Sequence, residues 1–161
     1  MNHHDTPPQT ARPVPLSQDS LPKNMWAFKH TFRHGQCDPA GIVYTPKFFD
    51  IFNQAIEAWF CDHLHIDYYD VLGPRRVGLG YVSASATFFA PCMMGDEIEI
   101  YVRVHKLGGK SYEITLHAMK GDKEALRGYF TTVTTSLESH RPIEIPQDIR
   151  SAMQNYRDAT D

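Results

Sequence analysis

Between Pro46 and His63 the apolar residues recur at helical spacing: Phe48, Phe52, Ala55 and Trp59, flanked by Phe49, Ile51, Ile56 and Phe60. That spacing predicts one long helix, and the width of its apolar stripe predicts a helix largely enclosed by other structure. Asp50, Glu57 and Asp62 are left for its polar face or an interface. Thr45 is placed as its N-cap, with Pro46 at the favoured first helical position. Elsewhere the period falls to two. "WAFKHTF" (26–32) reads as a first strand, rich in aromatics. In "YVSASATFF", Val82, Ala84, Ala86 and Phe88 alternate with polar neighbours. In "EIEIYVRVH" the inward set is Ile98, Ile100, Val102 and Val104, and in "SYEITLHAM" it is Tyr112, Ile114, Leu116 and Ala118. "ALRGYFTTVTTSL" is a long, Thr-rich last strand. The connections at 91–95, 108–109 and 121–122 are short, so consecutive strands are expected to pair antiparallel as a meander. The "LGPRRVGLG" stretch reads as a surface connection. The predicted fold class is α+β, a sheet of about five antiparallel strands wrapped on one helix.

The ends of the chain behave differently. Residues 1–24 hold Pro7, Pro8, Pro13, Pro15 and Pro22 among polar residues, and are expected to form a disordered or loosely docked arm. The ordered domain is placed at 25–141. The tail, 142–161, can add a short, weakly packed helix.

Composition narrows the function classes. The 161 residues suit one domain, and a net charge of −3 provides no basic field for nucleic acid. No apolar run approaches the ~18 residues of a membrane span. The three cysteines, Cys37, Cys61 and Cys92, are widely spaced and follow no secretory signal. They read as reduced thiols, and the location expected is cytoplasmic. Cys61, His63 and His65 lie close together, but alternate residues of a helix point in different directions, so no metal site is assigned.

The candidate chemistry lies in "RHGQCDPAGIVYTPKFFDIF" (33–52). Asp38-Pro39-Ala40-Gly41 has the residues that a type I turn favours, so Asp38 can be simply the first residue of a turn. The Asp-Pro-Ala-Gly-Ile-Val run, followed by Tyr44 and Pro46 at the helix entry, resembles hotdog-fold acyl-CoA thioesterases, the 4-hydroxybenzoyl-CoA thioesterase group in particular. "ATFFAPCMMGDEIEI" resembles a second family segment through Ala90, Pro91, Gly95 and Asp96. The resemblance runs from about Trp26 to Leu137.

This resemblance implies a hotdog fold and hydrolysis of an acyl-CoA to free acid and CoA, with an aromatic acyl group favoured. Asp38 would be the catalytic carboxylate, as nucleophile or general base. The backbone amide of Thr45 would stabilise the oxyanion, helped by the helix dipole. Gly41 and Pro46 would shape the loop, and Tyr44 would join the substrate-binding residues. Tyr44, Phe48, Phe49 and Tyr81 can line an aryl pocket or serve equally as core. Lys110 and Ser111, in "KLGGKSY", resemble a basic family turn and can serve equally as a CoA phosphate contact or a solvated hairpin tip; Arg103, Lys106 and Arg127 sit on or beside strand ends as further phosphate candidates, and Arg75 and Arg76 can reach CoA or a neighbouring subunit. Two departures stand out: Gln36 occupies a position where many relatives carry an acid, and Thr45 one where many carry His. Glu57 is the reserve carboxylate. The resemblance implies no cofactor beyond the CoA of the substrate, and a homodimer or homotetramer that pairs sheet edges. The alternative is a non-catalytic acyl-CoA-binding or regulatory protein on the same fold.

Overall fold

The computed structural model describes residues 11–161. Strand β1 (Ala27–Thr31) leads through a 3-10 turn, His34–Gln36, to helix α1 (Thr45–Ala58). One π-helical turn, Trp59–His63, extends α1, and the short helix α2 (Tyr68–Leu72) follows. Strands β2 (Val77–Phe88), β3 (Glu97–Leu107), β4 (Ser111–Lys120) and β5 (Lys123–Ser136) precede helix α3 (Gln147–Thr160). The sheet is five-stranded, in the order β1-β3-β4-β5-β2, with every pair antiparallel. It wraps around α1 as a hotdog fold.

The predicted inward faces of β3 and β4 are buried to the last residue. From α1, Phe48, Ile51, Phe52, Ala55 and Ile56 are buried against them. The helix presses closely on the sheet at Gly128 of β5. A Cβ there would stand 2.8 Å from the Phe52 ring, so only glycine lets α1 settle this deeply.

Four expectations are corrected. β2 does not pair with β3 but lies beside β5, Val77 opposite Ser136 and Phe88 opposite Leu126, so only β3, β4 and β5 form a meander. The connection Phe89–Asp96 is longer than the two to five residues of a hairpin loop. At ~3.4 Å per residue it can cross the end of the sheet, passing three strand spacings of about 4.8 Å. The "LGPRRVGLG" stretch is only partly a loop, because Val77, Gly78 and Leu79 are buried strand residues of β2. The tail is a full helix of 14 residues with Ile149, Met153, Tyr156 and Thr160 buried. It covers the part of β3 that the short β1 leaves unpaired: Tyr156 Oη donates to Val102 O (2.5 Å), and Arg150 Nη2 to the carbonyls of Gly108 and Gly109 (2.5 and 3.0 Å). Finally, the N-cap of α1 is Tyr44, and Thr45 is already the first helical residue.

Of the Pro-rich arm, residues 1–10 lie outside the described residues. From Arg12 onward the chain runs over the outer face of the sheet, and Leu21 and Met25 are buried there with Met119. No helix among the described residues is long and apolar enough to cross a membrane.

Candidate active site

The Asp38 loop is a closed ring of backbone hydrogen bonds. Asp38 N–H donates to Ile42 O (2.8 Å), and Gly41 N–H donates to Asp38 O (2.9 Å). Gly41 takes φ +76°, a conformation that a Cβ would strain, which is why glycine closes the turn. The Asp38 carboxylate folds back over this ring, and its Oδ1 accepts from Ala40 N–H (2.8 Å) and Ile42 N–H (3.3 Å). The turn and the placed carboxylate are therefore one structure. Oδ1 is held by two amides, while Oδ2 has no partner among the described residues and faces solvent.

Three sets of contacts hold this loop against the rest of the protein. Tyr44 N–H donates to Gln36 O (2.9 Å), which ties the helix entry to the 3-10 turn. Gln36 Oε1 in turn accepts from Arg33 N–H (2.9 Å) and His30 Nε2 (3.0 Å). Gln36 is thus a loop brace. On the other side the β2–β3 connection is zipped to the loop, Val43 N–H donating to Cys92 O and Met94 N–H to Gly41 O, both 2.9 Å. That connection is clamped from behind: Lys120 Nζ reaches Pro91 O (3.0 Å) and Asp96 Oδ2 (3.2 Å), and Asp96 Oδ2 also accepts Met93 N–H (2.8 Å). The Met93 amide and the Lys120 ammonium hold the Asp96 carboxyl below its ordinary value, against a smaller opposing effect of burial.

The first turn of α1 opens onto a cleft of about 340 Å³ lined by Ile42, Val43, Thr45, Phe48 and the Phe88–Cys92 segment. Thr45 N–H has no backbone acceptor among the described residues, Lys47 N–H returns to Tyr44 O, and Pro46 has no N–H to offer. Thr45 thus has an N–H without a backbone acceptor at the positive end of the helix dipole, on a residue that lines the apolar cleft. Burial pushes the Cys92 thiol up to about 11, with the Lys120 ammonium opposing, so at neutral pH it is a neutral wall residue.

The sequence-selected residues divide cleanly. Asp38, Gly41, Tyr44, Thr45 and Pro46 come together at one end of the sheet. Of the four aromatics only Phe48 lines the cleft. Phe49 packs edge-on to Phe130, Tyr81 Oη donates to Asn53 Oδ1 (2.6 Å), and the Tyr44 ring is 57% exposed. Lys110 and Ser111 sit at the opposite end: β3 is 11 residues long, so within one chain about 30 Å of strand separates them from the Asp38 loop. Their turn is occupied structurally, Lys110 O accepting from Thr134 N–H and Oγ1. The other candidate cations are paired within the chain: Arg75 with Asp148, Arg76 with Glu138, Arg103 with Asp161, Lys106 with Glu113 and Arg127 with Glu124. Glu57, half-buried on α1, accepts a short hydrogen bond from Tyr69 Oη and lies away from the cleft. His30, Gln36, Asp96 and Lys120 were not singled out as site residues, although the Gly-Asp pair at 95–96 marked their neighbourhood.

Residues 32–153 match the family model of the thioesterase-like superfamily, from the end of β1 through the first half of α3. The chain belongs to that superfamily. Among curated relatives, this thioesterase-like protein is 26% identical over 135 residues to the 1,4-dihydroxy-2-naphthoyl-CoA hydrolase of Nostoc punctiforme, an alignment covering 83% of this chain and 90% of the relative. Among solved structures it matches a thioesterase superfamily protein from Jannaschia sp. CCS1 with a TM-score of 0.77 at 23% identity, covering 84% of this chain and 94% of the other. It also matches a 1,4-dihydroxy-2-naphthoyl-CoA thioesterase from Synechocystis with a TM-score of 0.75 at 20% identity, covering 81% and 96%. The protein is a hotdog-fold member of the thioesterase-like superfamily.

Proposed function

We propose that this thioesterase-like protein hydrolyses an aromatic acyl-CoA to the free acid and CoA, with Asp38 as the reacting carboxylate and Thr45 N–H as the oxyanion donor. The observation that supports the reading is a carboxylate with one unpartnered oxygen on the loop whose Ile42 lines an apolar cleft, together with the unpartnered helix-start amide of Thr45, which lines the same cleft. The amide stabilises negative charge developing on the thioester oxygen, in a site whose apolar walls strengthen that interaction. As nucleophile, Asp38 Oδ2 attacks the carbonyl carbon, the C–S bond breaks, and CoA leaves as thiolate and takes up a proton. Water then hydrolyses the mixed anhydride and regenerates the carboxylate. As general base, Asp38 takes a proton from the water that attacks the same carbonyl. Both routes need the ionised carboxylate and the same amide.

The aromatic preference rests on the Phe48, Phe88 and Phe89 rings at the cleft and on the relatives named for hydrolysis of a naphthoyl-CoA. The site is completed in a homodimer through the outer edge of β2, an exposed strand that carries Tyr81 and Val82, the latter 66% exposed. Free-thiol release from a panel of aryl- and alkyl-CoA thioesters tests the reading. Turnover concentrated on aryl esters is expected, turnover confined to alkyl esters overturns the substrate class, and none on any ester overturns the activity.

A further inference from the structure

The outer face of the sheet carries a buried carboxylate that the proposed chemistry does not use. Glu124, 1% exposed, begins β5. Its Oε1 accepts from Arg127 Nε (2.8 Å) and contacts His117 Nδ1 (2.7 Å); its Oε2 accepts from Arg127 Nη2 (2.6 Å) and from Leu16 N–H (2.9 Å). Burial works against its ionisation, but Arg127, His117 and the Leu16 amide outweigh burial and hold the carboxyl at about 2. Leaving such a charge without its partners is costly, so the Leu16 amide is fixed in place. The arm is laced on both sides of that point: Glu124 N–H donates to Leu16 O (3.1 Å), Gln18 N–H to Asp122 O (2.9 Å) and Arg127 Nη2 to Val14 O (3.0 Å).

What the arm holds is the wall of the cleft. Phe89 and Ala90 line the cleft on one side, and on the other they line a hollow of about 330 Å³ closed by Pro15, Leu16 and Ser17. The wall is one residue thick, with the arm behind it. Arg12 Nη2 donates to Phe88 O (2.7 Å), at the point where β2 ends and the wall begins. The Arg127 guanidinium lies 5.5 Å from the Phe89 ring centroid. Phe89 and Ala90 both donate to one carbonyl, Ala125 O (2.8 and 3.0 Å), while the far end of the wall is held at Pro91 O by Lys120 and at Cys92 O by Val43 N–H.

We propose that the arm segment Arg12–Gln18, seated on Glu124, is a positioning element for the cleft, holding the Phe88–Cys92 wall from behind and limiting the size of the acyl group admitted. The proposal rests on the thioester-hydrolase reading for its consequence, though not for its mechanics. Arg12 is the residue to change, because it is exposed and its loss leaves the core untouched.

The test compares full-length wild type, Arg12→Ala and Arg12→Lys by amide hydrogen exchange and by turnover on a small and a bulky aryl-CoA. Exchange at Phe89 and Ala90 is expected to rise about threefold or more in Arg12→Ala while β3 is unchanged. The bulky-to-small ratio of kcat/KM is expected to rise about threefold, mainly through KM. Arg12→Lys, which keeps a charged donor, is expected to restore both. Unchanged exchange at Phe89 and Ala90 overturns the proposal whether or not the protein turns over any thioester. Raised exchange with an unchanged size ratio overturns its selectivity. If no ester is hydrolysed, the thioesterase reading falls while exchange still decides the positioning.

Discussion

The two ends of the sheet are built by opposite rules. At the α3 end apolar groups are covered and the backbone is tied by side chains: Tyr156 Oη serves both Val102 O and Trp26 N–H, Trp59 packs edge-on to its ring although its buried Nε1–H has no partner among the described residues, and Met153 is fully buried. At the Asp38 end the reverse holds. Ile42, Tyr44, Met93 and Met94 are exposed, Thr45 N–H is free, and Asp38 keeps an open oxygen. Folding free energy favours the first arrangement, and apolar side chains left in water together with unpaired donors mark a surface kept for a ligand or a partner. The α3 end carries stability, and the Asp38 end gives some of it up to leave a surface open.

Variants at the two ends should therefore separate turnover from stability. Of the variants that contrast the two ends, the largest effect short of removing the Asp38 carboxylate is expected from Thr45→Pro, which removes the free amide while proline remains compatible with the first helical position. Its kcat should fall by about 10²–10³ with little change in denaturation midpoint, the cost of losing one oxyanion donor. A Thr45→Pro enzyme that retains full kcat would remove the amide from the mechanism. Met153→Ala should do the opposite, costing about 2–5 kcal/mol of stability in urea while turnover per folded molecule stays at the wild-type level. A drop in kcat with intact stability would show that the two ends are coupled.

The smallest effect concerns the tether of α3 to the chain before β2. Arg75 makes a bidentate contact with Asp148 (2.7 and 2.8 Å). The hydrogen bond from Arg75 is the main reason that the Asp148 carboxyl lies below its ordinary value. A carboxyl lowered on folding adds stability above its unfolded pKa and loses it as pH falls through the folded one. Asp148→Asn should flatten the acid limb of the stability curve below about pH 4. At neutral pH it should cost less than about 1 kcal/mol, because the pair is partly exposed and screened. An unchanged acid limb would show that the pair adds nothing to folding.

The sequence showed the Asp38 end more clearly than the rest because its signals are local. Asp-Pro-Ala-Gly closes a turn within a few residues, and Pro46 marks a helix start whatever surrounds it. β3 and β4 were legible because each buries one face along its whole length. The place of β2 was not, because pairing depends on which partner the Phe89–Asp96 connection can reach, and alternation in β2 is equally compatible with β3 or β5. Helix α3 was underestimated although Ile149, Met153 and Tyr156 hold helical spacing. Its stripe is narrow, and its importance comes from the stretch of β3 that a five-residue β1 leaves open. The separation of Lys110 and Ser111 from Asp38 follows from strand length and topology, which no motif encodes.

The central claim is that Asp38 reacts through its ionised oxygen and is not only the first residue of a turn. Asp38→Asn keeps an Oδ1 to accept from Ala40 and Ile42, so the loop should stand, while the anionic oxygen is lost. The decisive measurement is thiol release by this variant and the wild type on the best ester of the panel, with the fold of both checked by amide exchange. A loss of about 10²–10⁴ in kcat with an unchanged exchange pattern is the predicted result. Full activity in the folded variant would contradict the account and leave Asp38 as the first residue of a turn.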